Sequence, residues 1–176
     1  MKKSSLPTAV LLGRANVGKS TLFNTLTETS EALVSPTAGT TRDRREGTVI
    51  WRGTPFQLID TGGLMESLSA FDKEVRHQAE RAVKDADVIL FMGDAKVAPL
   101  AQDRDMLRWL RTLKKPVLVA VNKAETRGQR LGGLDAFWYR TGFGDPYAVT
   151  ALHGNGVGDL LDALYEKFSA LGKPSA

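Results

Sequence analysis

The sequence of 176 residues contains no cysteine and no long apolar run. A chain without cysteine cannot form a disulfide framework or a metal site built on thiolates. The apolar runs are too short to cross a bilayer, and Lys2 and Lys3 are not followed by the apolar core of a secretory signal. We therefore expect a cytoplasmic protein with no membrane association.

Aromatic residues are also scarce, at 7% of the chain, and none alternates with a run of basic residues. Trp51, Trp109 and Trp138 are therefore interpreted as packing residues rather than as platforms for stacked bases. His77 and His153 lack the spacing of paired metal ligands, so they are interpreted as surface or structural residues. Neither residue type indicates a function.

The N-terminal part of the chain contains a phosphate-binding pattern. Residues 13–20 are Gly-Arg-Ala-Asn-Val-Gly-Lys-Ser and match Gly-x4-Gly-Lys-Ser. They lie between an apolar strand at 8–12 and a helical pattern at 19–27, so backbone N–H groups and the helix dipole would face phosphate oxygens. In such a loop Lys19 reaches the β- and γ-phosphates, and the Ser20 hydroxyl ligates Mg²⁺. The pattern and its flanking elements favour a nucleotide site over a simple glycine-rich turn.

A second polar segment comes directly after the buried strand at 116–121. Residues 122–125 are Asn-Lys-Ala-Glu, and ligands of open parallel sheets bind at the carboxyl ends of strands. The Glu125 carboxylate can accept the N1–H and N2–H of guanine, a pair of donors that adenine lacks. Asn122 and the stem of Lys123 would hold the loop and cover the base.

A third segment follows the last predicted strand. It consists of Thr150, Ala151 and Leu152, whose backbone N–H groups are expected to meet the guanine O6. Together with the segment at 122–125 it indicates a guanine nucleotide and opposes an ATP-using P-loop kinase or ATPase.

Two further segments are expected to sense the γ-phosphate. The strand at 55–59 ends in an Asp-x-x-Gly run at 60–63, in which Asp60 would hold Mg²⁺ through water and the Gly63 N–H would contact the phosphate. Upstream, the segment 36–43 is polar and rich in turn residues. One of its threonine hydroxyls would complete the Mg²⁺ shell only when a triphosphate is bound.

With these motifs in this order, the chain resembles the Der (EngA) family of Era-like GTPases, and most closely their first GTPase domain. The resemblance covers nearly the whole chain and is carried by residues 13–24, 40–44, 58–63, 122–125 and 150–161. It implies a P-loop GTPase fold, hydrolysis of GTP with Mg²⁺, and a role in assembly of the large ribosomal subunit or contact with its rRNA. It also implies a longer protein with a second GTPase domain and an RNA-binding-like domain.

The resemblance assigns roles that the residues alone leave open. Thr41 rather than Thr40 would be the Mg²⁺ ligand. Asn16 would help to bind K⁺, whose charge takes the place of an arginine finger. Leu64 stands where small GTPases place a water-orienting glutamine and can form no hydrogen bond through its side chain, so water must be positioned by another group.

The chain departs from the usual family residue at three positions of the predicted site. Ala15 stands where proline is usual, Glu125 where aspartate is common, and Thr150 where serine is common. Because glutamate keeps the carboxylate, we expect the preference for guanine to survive the added methylene.

The complete predicted site draws on all of these segments. The nucleotide-binding residues are Gly13, Arg14, Ala15, Asn16, Val17, Gly18, Lys19, Ser20, Thr21, Asp60, Thr61, Gly62, Gly63, Leu64, Asn122, Lys123, Ala124, Glu125, Thr150, Ala151 and Leu152. The predicted catalytic residues are Lys19, Thr41, Gly63 and Asn16. The predicted metal ligands are Ser20, Thr41 and Asp60 for Mg²⁺, and Asn16 for K⁺.

Hydrophobic periodicity predicts alternating strands and helices. Strands are expected at 8–12, 47–52, 55–59, 87–92, 116–121 and 146–149, and helices at 19–27, 71–85, 103–114, 132–140 and 157–171. Arg52 and Gly53 fit a hairpin turn. The fold class is therefore α/β, a doubly wound and mostly parallel six-stranded sheet with one antiparallel strand. We expect a single GTPase domain at 1–171, with 172–176 beginning a linker in a longer chain.

The net charge of +4 is a mild basic bias. Arg104, Arg108 and Arg111, continued by Lys115, are spaced to share one face of the helix at 103–114. This stripe is either a solvated face or a contact with RNA or a neighbouring domain. A second basic cluster, Arg42, Arg44 and Arg45, lies in the segment expected to respond to nucleotide state.

Two classes of function fit these patterns. One is an enzyme, a Mg²⁺-dependent GTPase whose hydrolysis of GTP times an assembly step. The other is a GTP-gated module that binds RNA or the ribosome with negligible turnover of its own.

Overall fold

The computed structural model describes residues 6–31, 45–62 and 73–173. Several positions with predicted roles lie outside these ranges: Thr40, Thr41, Arg42, Arg44, Gly63 and Leu64. The strands are β1 (Thr8–Leu12), β2 (Arg45–Trp51), β3 (Thr54–Asp60), β4 (Val88–Asp94), β5 (Val117–Asn122) and β6 (Tyr147–Ala148). The helices are α1 (Lys19–Glu31), α2 (Lys73–Val83), α3 (Ala101–Leu110), α4 (Arg127–Arg130) and α5 (Val157–Ala170), with a 3₁₀ helix at Ala136–Arg140.

The strands form one six-stranded sheet in the order β2-β3-β1-β4-β5-β6. All neighbouring strands are parallel except β2 and β3, which pair antiparallel. The predicted fold class is therefore confirmed. Apolar residues such as Val10 and Leu11 make β1 buried on both faces, as expected for the centre of a parallel sheet covered by helices.

Two apolar layers cover the sheet. On one face, α1 and α5 contribute Leu22 and Leu160, while on the other α2 and α3 contribute Val75 and Met106. The sheet is therefore buried between two apolar layers of helices. No helix of the described residues is long and apolar enough to cross a membrane.

The predicted hairpin between β2 and β3 is present. Arg52 and Gly53 both have positive φ, at 50° and 76°, which matches the twist of a tight two-residue turn. At its end, the Trp51 indole donates a hydrogen bond to Asp162 Oδ1 on α5 at 2.7 Å. This hydrogen bond, with a contribution from Arg52, holds the pKa of Asp162 below its usual value. The hairpin is thereby tied to the last helix.

Most predicted elements differ from the structure by a few residues at their ends, and three of them need separate comment. The helix expected at 103–114 is Ala101–Leu110, and the chain turns after it through Lys114, whose φ is 53°. The helix expected at 132–140 is wrong. Gly132 has a φ of 99°, which breaks a helix, and the Asp135 side chain instead caps the 3₁₀ helix by accepting the Phe137 N–H. Strand β6 is only two residues long.

Candidate nucleotide-binding site

The phosphate loop connects the carboxyl end of β1 to the first turn of α1. Gly18 lies in it with a φ of 105°, and a Cβ there would overlap the Asn122 side-chain amide. A Cβ at Gly13 would approach the Met92 carbonyl oxygen to 2.5 Å. Both glycines are therefore required by close contacts with neighbouring strands as well as by the turn itself.

Lys19 lies at the start of α1 and is almost fully buried, with 4% of its surface exposed. Its Nζ donates to the carbonyl oxygens of Gly13 at 2.8 Å and Arg14 at 2.7 Å. The ammonium is thus held across the loop that it closes. This places a fixed positive charge at the N-terminus of a helix, where anions are already favoured.

Asn16 is exposed and adopts the left-handed conformation, with a φ of 66°. Asparagine tolerates this conformation better than most residues, which gives Asn16 a backbone role in the loop. The backbone carbonyl oxygen of Asn16 accepts a hydrogen bond from Lys123 Nζ at 2.8 Å. Asn16 also lines a cavity of about 280 Å³ over the loop, together with Gly18, Lys19, Ser20, Thr21 and Lys123.

The two described residues predicted to ligate Mg²⁺ lie next to each other. The Ser20 hydroxyl donates to Asp60 Oδ2 at 3.0 Å, and the Gly62 N–H donates to Asp60 Oδ1 at 2.9 Å. Asp60 is only 2% exposed. The Ser20 hydroxyl and the Asp60 carboxylate provide the oxygen ligands that Mg²⁺ prefers, so these residues fit the ion.

A second cavity, of about 230 Å³, adjoins the first at the carboxyl ends of β5 and β6. It is lined by Gly18, Thr21, Asn122, Lys123, Glu125, Thr150, Ala151, Leu152 and His153. Because Gly18, Thr21 and Lys123 line both cavities, the two form one continuous cleft. The structure thus brings together residues of the phosphate loop, of the segment 122–125 and of the segment 150–152.

Asn122 joins the two ends of this cleft. Its Nδ2 donates to the Val17 carbonyl of the phosphate loop at 2.9 Å, and its Oδ1 accepts the Ala151 N–H at 2.9 Å. The side chain is 4% exposed, so both bonds are protected from water. Asn122 therefore fixes the phosphate loop relative to the segment 150–152.

Two backbone amides of the segment 150–152 donate hydrogen bonds within the protein. The Thr150 N–H donates to the Asn155 carbonyl at 2.9 Å, and the Ala151 N–H is the one bound by Asn122. Leu152 is 75% exposed at the rim of the cleft. The predicted contact of this segment with the guanine O6 stays a prediction.

Tertiary structure adds pairings and lining residues that the sequence patterns did not identify. Arg14, which is partly buried, forms an ion pair with fully buried Asp103 on α3, with Nε and Oδ2 3.2 Å apart. Asp94 accepts a hydrogen bond from Lys123, and His153 lines the base end of the cleft. A polar residue at the end of buried β4 was a usable signal for Asp94. No local pattern identifies a pair such as Arg14 and Asp103, which are 89 residues apart.

The family model described as 50S ribosome-binding GTPase matches residues 8–123. The chain belongs to this family. Among similar members, the GTPase Der of Porphyromonas gingivalis is 43% identical over 161 residues, which cover 91% of this chain and 36% of that protein. The GTPase Der of Synechocystis sp. is 43% identical over 167 residues, which cover 94% of this chain and 37% of that protein. The predicted resemblance to the Der family is confirmed.

A solved structure of another GTPase supports the same fold. A crystal structure of Era in complex with MgGDPNP and nucleotides 1506–1542 of 16S ribosomal RNA is 25% identical, with a TM-score of 0.69. The match covers 99% of this chain and 59% of that chain. This chain spans little more than a third of the length of the two Der proteins.

Proposed function

We propose that this domain binds GTP and GDP and hydrolyses GTP to GDP and phosphate during assembly of the large ribosomal subunit. The observation that supports this most strongly is the double hydrogen bond of Asn122, which joins the phosphate loop to the base segment across one cleft. A site linked in this way is suited to a ligand with both a base and a chain of phosphates. The family description and the names of the Der relatives support the same proposal.

The base end of the cleft favours guanine over adenine. Glu125 lines it and offers two acceptor oxygens to the adjacent N1–H and N2–H donors of guanine. Adenine has neither donor, so it would form no hydrogen bond to the Glu125 carboxylate. A site built on such polar pairing rejects the mismatched ligand strongly.

At the phosphate end, the protein positions charge around the transferred group. Lys19 supplies a fixed ammonium, while Ser20 and Asp60 would hold Mg²⁺, which would add positive charge to stabilise the transferred phosphoryl group. Thr41 is proposed as a further Mg²⁺ ligand and the Gly63 N–H as a contact to the γ-phosphate. Asn16, at the edge of the phosphate cavity, is proposed to bind K⁺.

The wider role rests on the relatives. Since they are much longer than this chain, we propose that residues 1–171 are one GTPase domain and that 172–176 begin a linker. A second GTPase domain and an RNA-binding-like domain would follow in the full-length protein. The proposed partner is the large ribosomal subunit or its rRNA, and the proposed location is the cytoplasm.

A GTP-gated binding module is the second candidate. It is favoured by the exposed face of α3, where Arg104, Arg108 and Arg111 all reach solvent. Single-turnover measurements with and without ribosomal particles separate the two candidates. The proposed enzyme cleaves bound GTP in at least one condition, whereas a binding module holds GTP without appreciable cleavage in both.

The test of the nucleotide assignment is a comparison of affinities for GDP, ADP and xanthosine diphosphate. GDP should bind at least a hundredfold more tightly than ADP, because ADP would lack two hydrogen bonds to a charged group, each worth about 1.5 to 3 kcal/mol, and each ~1.4 kcal/mol is tenfold. Xanthosine diphosphate replaces the N2 amine by an oxygen, so Glu125 should repel it. Equal binding of GDP and ADP would overturn the proposed function.

A further inference from the structure

The carboxylate proposed to read guanine has a cationic partner that no motif contains. Lys96 Nζ lies 2.9 Å from Glu125 Oε1, and both side chains are about half exposed. Lys96 is in the loop after β4, and Glu125 is in the loop after β5. The two loops lie side by side because β4 and β5 are adjacent, with Asp94 in register with Asn122.

The backbone that presents Lys96 is fixed from two sides. The Lys96 N–H donates to Asp94 Oδ1 at 2.8 Å, and the Ala95 N–H donates to the Asn122 carbonyl at 2.8 Å. Asp94 is 4% exposed, and its other oxygen accepts Lys123 Nζ at 2.7 Å. The segment that carries Lys96 is therefore bonded directly to the segment that carries Glu125.

The backbone of Glu125 is fixed as well. Arg130 Nη1 donates to the carbonyl oxygens of Ala124 at 3.0 Å and Glu125 at 2.7 Å. The remaining freedom lies in the Glu125 side chain, which has one more rotatable bond than the aspartate common at this position. Each free rotamer must be ordered before both oxygens can face the base, and that ordering opposes binding.

The position of Lys96 suits it to remove that freedom without blocking the base. Glu125 lines the base cavity, whereas Lys96 is not among the lining residues, so its ammonium approaches the carboxylate from outside the cavity. A carboxylate oxygen has two lone pairs. Oε1 can therefore accept from Lys96 and from a guanine N–H at the same time.

We propose that Lys96 is a positioning residue for base recognition, which holds the Glu125 carboxylate in the orientation that pairs with both guanine donors. The inference rests on the proposed binding of guanine nucleotides at this site. The proposal gives this half-exposed ion pair a role in ligand selection.

The test compares GDP with inosine diphosphate, whose base keeps the N1–H but lacks the N2 amine. The proteins are the wild type, Lys96→Met, Lys96→Arg, and the first two in a Glu125→Asp background. Lys96→Met should weaken GDP binding by about fivefold, the upper range for an exposed ion pair. Inosine diphosphate, which needs only one acceptor, should be affected less, so the ratio of the two affinities should fall. Lys96→Arg should restore most of the ratio.

The Glu125→Asp background is the matched control. Its carboxylate is one methylene shorter and should lie beyond the reach of Lys96, so adding Lys96→Met there should leave the ratio unchanged. Melting temperatures measured in parallel report whether each variant is folded, and the exposure of Lys96 makes unfolding unexpected. Raising the salt concentration should shrink the difference between wild type and Lys96→Met.

Two results would overturn the role of Lys96. One is a GDP to inosine diphosphate ratio that Lys96→Met does not change, and the other is an equal effect of Lys96→Met in the Glu125→Asp background. A wild type that binds ADP as tightly as GDP would instead overturn the proposed function itself. Measuring ADP binding to the wild type alongside these variants therefore distinguishes the two failures.

Discussion

Arg45 forms an ion pair with Asp60, with Nη2 and Oδ2 3.1 Å apart. The same carboxylate oxygen accepts the Ser20 hydroxyl. The guanidinium also donates to Asn24 Oδ1 at 3.2 Å and lies 4.7 Å from the centre of the Phe23 ring. A side chain at the start of β2 thus places a positive charge on the buried carboxylate that is proposed to hold Mg²⁺.

This pair predicts that Arg45 weakens Mg²⁺ binding. Arg45→Gln removes the competing cation, so less Mg²⁺ should be needed to slow GDP release, by a factor of roughly three to five as for other partly exposed pairs. The measurement is the GDP dissociation rate as a function of Mg²⁺ concentration. Arg45→Lys, which keeps the charge, is the control and should resemble the wild type. The prediction would be contradicted if the Mg²⁺ concentration that half-maximally slows GDP release were as high for Arg45→Gln as for the wild type, or higher.

The proposed K⁺ site makes a second prediction. GTP hydrolysis should be faster in K⁺ than in Na⁺, because a cation held by the Asn16 side chain would stabilise charge on the transferred phosphoryl group. Asn16→Ala should bring the ratio of the two rates to one. Since Asn16 has a φ of 66°, alanine also strains the loop, and Asn16→Gly separates the two effects by accepting that φ without a side-chain oxygen. Equal wild-type rates in the two salts would rule out the mechanism for this domain.

The basic face of α3 makes a third prediction. Arg104 and Arg108 on α3 and Arg111 directly after it are exposed, whereas Leu107 and Leu110 are buried. Changing the three arginines to glutamate should weaken association with ribosomal particles, and lower its dependence on salt, while GTP affinity stays the same. Arg108→Glu can be compared with Lys167→Glu on α5, an equal charge change on the other face of the sheet. Unaltered particle binding at moderate salt would identify α3 as a solvated face.

Contacts within the protein already distinguish members of this stripe. Lys115 Nζ donates to the carbonyl oxygens of Val83, Lys84 and Ala86, so it caps the end of α2. Its role is therefore structural, and it does not extend the stripe. Arg111 donates to the Thr141 carbonyl at 2.7 Å, which leaves part of its guanidinium at the surface.

A fourth prediction concerns the core beneath the site. Gly93 in β4 lies against Trp138, which is 1% exposed, and a Cβ at Gly93 would overlap the indole ring. Gly93→Ala should lower the free energy of unfolding by about 1 to 3 kcal/mol, as for other overpacked cores. Adding Trp138→Phe should recover part of this loss by removing the overlapping atoms.

A glycine elsewhere provides the control for that measurement. Gly158 lies in α5, where the nearest atom to an added Cβ would be in the Trp51 ring at 3.9 Å. Gly158→Ala should therefore raise the free energy of unfolding by about 0.5 to 1 kcal/mol through helix propensity. Urea unfolding of both variants is the measurement. A Gly93→Ala protein as stable as the wild type would show that the indole can move at little cost.

The sequence predicted much of the fold because the relevant signals are local. The continuous apolar runs at 8–12 and 116–121 identified strands, and the glycine and lysine spacing at 13–20 identified the turn into α1. The helix expected at 132–140 was wrong because a helical apolar spacing outweighed the two glycines at 132–133. Gly132 adopts a φ of 99°, which a helix does not allow, so only a short 3₁₀ helix forms at Ala136–Arg140.

By itself the sequence determined the order of the motifs, the alternation of strands and helices, and the choice of residues that can face phosphates and a base. These depend on residues within a few positions of each other. Only the tertiary structure decided which charged groups pair: Arg14 with Asp103, Arg45 with Asp60, and Lys96 with Glu125. Such pairs depend on which strands lie side by side and where their loops emerge, and packing of the whole sheet sets both.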